Sequence, residues 1–208
     1  MIKQFSLYIV LFSLVFSLSC SGDAKKTANT KPAANAEVKR GVTPVADSEV
    51  AVIETDFGTI KMELYSNVAP KMVARFKELA REGYYNGIAF HRINQSVIQA
   101  GNADTKEGAK PVPGKEGDSG KPNVDAEFSD IKYDTGILGA ARLGNDVNSA
   151  NSQFFITLKR EAGFDDKYTI FGKVIDGMNT VMTISGVPKD GEKPNPPVRI
   201  KSVTIQPK

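Results

Sequence analysis

From residue 59 to residue 65 the chain alternates, with Ile60, Met62 and Leu64 set against Lys61 and Glu63. A period of two turns one face toward a core and the other toward water, which is the pattern of a half-buried strand. The run Glu-Val-Ala-Val-Ile-Glu-Thr from residue 49 reads as the strand before it, and Asp56-Phe57-Gly58 as the turn joining the two into a hairpin. Further short strands are expected at 89–93, 97–100, 137–141, 154–158, 168–174 and 198–206. In the last, the alternation slips between Ile200 and Val203, which predicts a bulge. Only two stretches follow a helical period. One opens at Pro70, carries Met72, Val73, Phe76, Leu79 and Ala80, and closes at Gly83. The other is short, carries Met178, Val181 and Met182, and has Asp176 as its expected cap. Gly101 to Asn123 reads as a long loop. Many short antiparallel strands with two helices describe a mostly β domain, either α+β or a barrel.

Charge and the rare residues narrow the function. The net charge is +3, from 27 basic and 24 acidic residues. The basic residues are scattered rather than gathered on one stripe, so nucleic acid is not an expected partner. With one Cys and one His in the chain, neither an internal disulfide nor a zinc site is expected. Cys20 and His91 are too far apart in the chain to suggest a shared nucleophilic site.

The chain is expected to divide at residues 20 and 48. Residues 1–20 have a basic start, an uncharged apolar run over 5–19, and Ser19-Cys20 at its end. That is a secretory signal in form, and the run is short for a permanent span. Its ending resembles a bacterial lipoprotein signal, which implies lipidation of Cys20. Ser17 stands where leucine is usual. Residues 21–48, rich in Ala, Lys, Thr, Asn and Pro, read as a flexible linker. Residues 49–208 read as the one folded domain. The expected location is outside the cytoplasm, anchored by lipid to a bacterial membrane and facing periplasm or cell surface.

Within residues 49–208, ordered motifs resemble those of the cyclophilin-type peptidyl-prolyl cis/trans isomerases. They are Phe90-His91-Arg92-Ile93, Ser152-Gln153-Phe154-Phe155-Ile156 and Phe171-Gly172-Lys173-Val174, preceded by Thr55-Asp56-Phe57-Gly58-Thr59-Ile60 and Ala69-Pro70. The resemblance implies a closed eight-stranded antiparallel β-barrel capped by two α-helices, with the active groove on the barrel's outer face. It also implies an isomerase that acts on proline-containing polypeptides as a monomer, without metal or cofactor.

Carried over residue by residue, the resemblance makes Arg92 the catalytic cation and Gln99 the residue that positions it. Phe155 becomes the floor of the proline pocket, Phe164 its far wall, and Val97 and Ile98 its near wall. Gln153 and Tyr168 line the groove, and Ala141 and Arg142 form its edge through main chain. His91 is a packed neighbour of Arg92, because isomerisation transfers no proton. Between Arg92 and Gln99 the chain is one residue shorter than the family, and Ser96 or Val97 stands where an aromatic is usual. A shallower pocket is expected. Gly163 replaces the tryptophan of cyclosporin-sensitive members, so weak binding of that drug is expected. The leading expectation is a foldase for exported proteins. The alternatives are a proline-peptide binding or chaperone module with little turnover, and a surface adhesin that uses the domain as a scaffold.

Overall fold

The structure, a computed structural model, describes residues 36–110, 117 and 119–208. The signal segment, Cys20 and residues 21–35 of the expected linker lie outside the described residues, as does part of the long loop after Gly101.

The hairpin read from the alternation is present. β1 (Val38–Lys39) precedes β2 (Glu49–Thr55) and β3 (Gly58–Leu64), which are joined by the two residues Asp56 and Phe57. The order continues through α1 (Pro70–Arg81), β4 (Arg92–Ile93), β5 (Val97–Ala100), β6 (Phe128–Ser129), β7 (Ile137–Ala140), β8 (Phe154–Thr157) and β9 (Ile170–Asp176). It ends with α2 (Met178–Ser185), β10 (Lys189–Asp190), β11 (Lys193–Pro194) and β12 (Ile200–Pro207). Eight strands form one antiparallel sheet in the order β12-β2-β3-β9-β7-β8-β5-β4. The expected barrel is closed less completely than a ring of ladders. Among the described residues, its two edges, β12 and β4, are brought together by a bridge between Ala89 and Arg199 and by the main-chain bonds Phe90 N–Val198 O at 2.9 Å, Ile200 N–Ile88 O at 2.8 Å and Gly87 N–Ile200 O at 2.8 Å. The predicted bulge lies in β12, where the register shifts between Ile200 and Ser202.

The core fills the inside of this curled sheet. Ile53, Ile60, Met62, Leu64, Ile98, Leu138, Phe154 and Phe171 enter it from strands. Met72, Val73, Phe76, Leu79 and Ala80 enter from α1, as the sequence spacing requires. Phe76 packs edge-on to Phe154 at 5.5 Å and tilted to Phe171 at 5.5 Å. The first turn of α1 begins at a proline and has no capping side chain of its own. The Glu127 carboxylate accepts its free amides instead, from Lys71 N at 3.1 Å and Met72 N at 3.0 Å.

Three expectations change. Asp176 does not cap α2: the cap position is Gly177, whose φ of 84° suits glycine, and a Cβ there would lie 2.1 Å from Thr59 O. Met182 is 48% exposed, and Ile184 takes the buried place with Val181. The expectation of a flexible linker over 21–48 also changes for its last part. From Val38 to Asp47 the chain is strapped to the domain. β1 pairs parallel with β6, and Lys39 Nζ donates to Val68 O at 2.7 Å. Arg40 pairs with Asp166 at 2.9 Å, and Asp47 accepts from Ser66 and Lys77. Composition marks this segment as poor in large apolar residues. Its order comes from backbone pairing and charge, which composition does not register.

Candidate active groove

On β5, Val97 and Gln99 point outward while Ile98 and Ala100 point into the barrel. On β8, Phe155 points outward between the inward Phe154 and Ile156. The outward residues join Tyr65, Val68, Tyr133, Ile137 and Ile170 in a second apolar cluster on the sheet's outer face. Ile98 therefore does not form a groove wall. It is fully buried in the main core, because neighbouring strand residues face opposite ways.

Over this second cluster lies a cavity of about 200 Å³, lined by Arg92, Val97, Gln99, Ala141, Arg142, Phe155, Phe164 and Tyr168. The structure thus brings together most of the residues singled out in the sequence. The floor is aromatic and rigidly packed. The Phe155 ring lies stacked on Tyr133 at 5.8 Å and edge-on to Phe164 at 5.5 Å and Tyr168 at 5.8 Å. Offset and edge-to-face contacts of this kind fix ring orientation beyond what burial alone does. Wider depressions exist, such as one of about 660 Å³ along α1. That surface is lined by the ion-paired Glu49, Lys77, Glu78 and Arg81 and has no aromatic floor.

The polar rim differs from expectation in one respect. Arg92 and Gln99 face each other across β4 and β5. Yet no hydrogen bond joins their side chains: Gln99 Nε2 donates to Gln153 Oε1 at 3.0 Å. Gln153 is thus coupled to the groove through Gln99 rather than lining the cavity itself. Arg92 instead donates through Nε to Glu192 Oε2 at 2.6 Å. At the far rim the Arg142 guanidinium lies 4.6 Å over the Tyr168 ring and donates to the carbonyls of Lys167 and Leu143. The Ala141 amide is engaged by Gln153 O at 2.9 Å.

His91 is held beside this rim by its backbone amide, which donates to Gln99 O at 3.0 Å. Burial pushes the imidazole's pKa below its ordinary value, and the nearby Ala89 backbone and Gln153 side chain only partly oppose this. Among the described residues, no group of three His, Cys, Asp or Glu side chains could hold a metal ion.

Four contributors were not read from the sequence. Tyr133 underlies the floor, Gly139 makes room for the Phe155 ring, Glu192 grips Arg92, and Val42 packs against the outer apolar cluster. Of these, only Gly139 carried a local signal, as a glycine inside a strand.

The chain resembles known proteins in sequence and in fold. Residues 50–205 match the family described as cyclophilin type peptidyl-prolyl cis-trans isomerase/CLD. A probable peptidyl-prolyl cis-trans isomerase of Brucella suis is 39% identical over 166 residues, covering 76% of this chain and 83% of the relative. Peptidyl-prolyl cis-trans isomerase 10 of Caenorhabditis elegans is 40% identical over 158 residues, 74% of this chain and 92% of that one. Among solved structures, a Cryptosporidium parvum cyclophilin type peptidyl-prolyl cis-trans isomerase, crystallised in the presence of the dipeptide Ala-Pro, superposes with a TM-score of 0.67. It is 31% identical, and the match covers 76% of this chain and 99% of that one.

Proposed function

Since the chain belongs to the cyclophilin-type peptidyl-prolyl cis-trans isomerase family, we propose that the groove between Arg92 and Phe155 is where it turns X-Pro bonds. The observation that carries this reading is that a permanent cation and an aromatic floor line one small cavity. Rotation about a peptide bond is opposed by a barrier of about 18–20 kcal/mol, because the nitrogen shares its lone pair with the carbonyl. No bond need break. The enzyme must bind the twisted state more tightly than either planar one. With the proline ring against Phe155, between Phe164 and Val97, the prolyl nitrogen faces Arg92. Once twisted, that nitrogen keeps its lone pair and accepts a hydrogen bond from the guanidinium, which stays charged at any working pH. Such a donor contributes about 3 kcal/mol to a rate in other enzymes. The Ala-Pro dipeptide present with the Cryptosporidium relative supports a proline-containing ligand here.

The test is turnover of an Ala-Pro peptide by the full chain, followed by NMR exchange or protease coupling. Arg92→Ala should lower kcat/KM about a hundredfold, the equivalent of the 3 kcal/mol above. Peptide affinity without turnover in the parent protein would favour the binding-module reading instead.

Localisation belongs to the same proposal. Removal of the apolar segment over 5–19 and lipidation of Cys20 would leave the domain tethered to a membrane outside the cytoplasm, with exported polypeptides as clients. Its support is the sequence pattern of residues 1–20. Fatty-acid labelling that vanishes in Cys20→Ala tests it.

A further inference from the structure

Arg92 sits on β4, the last strand of the sheet, which is two residues long and has one ladder neighbour, β5. Its side chain is 48% exposed. Packing therefore does not fix its rotamer, and a free arginine of this kind samples many positions. One contact restrains it. Glu192, at the tip of the hairpin between β10 and β11, accepts the Arg92 Nε–H at 2.6 Å. Glu192 is itself held by the two residues that follow Arg92. Its Oε1 accepts from Asn94 Nδ2 at 3.0 Å, and its backbone carbonyl accepts from Ile93 N at 2.7 Å. Three consecutive residues of the β4 segment thus grip one glutamate, a hundred positions away in sequence.

The geometry divides the guanidinium into two parts. The Nε–H edge faces Glu192, while neither terminal amino group makes a hydrogen bond among the described residues. Arg92 lines the aromatic groove at the same time. We propose that Glu192 is the positioning residue of the active site: it anchors Arg92 by Nε so that the terminal N–H groups are presented to the prolyl nitrogen. This rests on the reading of Arg92 given above. It gives Glu192 the role that the resemblance assigned to Gln99, whose own amide is engaged with Gln153. The carboxylate does not discharge the cation, because a guanidinium keeps its proton throughout the working range. What the pairing fixes is direction.

Because the hydrogen bond to nitrogen strengthens only in the twisted state, misplacing the donor should lower kcat and spare KM. Kinetics on an Ala-Pro peptide with the full chain should show kcat lowered about five- to tenfold in Glu192→Ala, with KM within about twofold of the parent. Glu192→Gln keeps an acceptor for Nε–H but loses the charge assistance, and should return kcat to within about twofold of the parent. In an Arg92→Ala background, Glu192→Ala should have no further effect. The glutamate side chain is exposed, so an unchanged Tm checks that the variant folds. If Glu192→Ala turns over as fast as the parent while Arg92→Ala is impaired, the positioning role is wrong and the groove assignment stands. A kcat loss from Glu192→Ala that persists without Arg92 would also overturn it. If Arg92→Ala itself is fully active, both fall together.

Discussion

Gly139 on β7 stands directly across the ladder from Phe155 on β8, and the phenylalanine ring folds back over it. A Cβ at Gly139 would lie 2.3 Å from Cζ of that ring. The pocket floor is where it is because position 139 has no side chain. Gly139→Ala forces either the ring or the strand to move, and overpacking of this kind costs about 1–3 kcal/mol. The expected outcome is a lower denaturation midpoint together with a loss of turnover on Ala-Pro peptides. Denaturant titration and an exchange assay on the same sample measure the two.

Arg142 should matter less than its place on the rim suggests. Its guanidinium covers Tyr168 and ties down the carbonyl of Lys167. An exposed stacking contact of that type contributes about 0.5–1 kcal/mol. Arg142→Ala should therefore reduce kcat/KM only two- to fivefold, roughly the rate equivalent of that energy. A loss as large as that of Arg92→Ala would show that Arg142 touches the reacting bond.

The rate should not follow histidine titration. Burial holds the His91 pKa below its ordinary value near 6.5, and isomerisation asks no proton of the imidazole. Turnover measured from about pH 8 to about pH 6 should be flat. Folding stability behaves differently. Below about pH 6.5 the unfolded chain binds a proton that the folded chain resists, so stability declines there as pH falls. An inflection in kcat near pH 6.5 would contradict this account of His91.

The strap from Val38 to Asp47 should be part of the folding unit. Beginning the chain at residue 49 removes the β1–β6 pairing, the Arg40–Asp166 pair and the Asp47 bonds, and should lower Tm by about 5 °C or more. Because Arg40 and Val42 pack near the loop carrying Phe164 and Tyr168, peptide affinity should weaken as well. Asp47 adds a signature in acid. Burial pushes its carboxyl up, but the bonds from Lys77 and Ser66 together outweigh this and hold it below the usual carboxylate range. Its contribution is therefore present at neutrality and is lost only as the pH falls below about 4. Asp47→Asn should be less stable than the parent at pH 7, with the two curves converging in acid. Thermal unfolding from pH 7 to pH 3 measures the difference.

The sequence by itself determined the eight strands of the main sheet, the main helix, the bulge and the family. Each of these is written in neighbouring residues: alternation at Ile60, Met62 and Leu64, helical spacing from Met72 to Ala80, and the motif around Arg92 and Phe155. The same alternation also held the information that Ile98 faces inward. Proximity to Val97 and Gln99 in the chain was not proximity in the groove. Only the tertiary structure decided what grips Arg92, what lies under Phe155, and that the segment from Val38 belongs with the domain. Glu192 meets Arg92 across a hundred residues, Gly139 meets Phe155 across a ladder, and β1 meets β6 across the surface. Such pairings depend on how the sheet curls and which edges it brings together, and no window of neighbouring side chains encodes that closure.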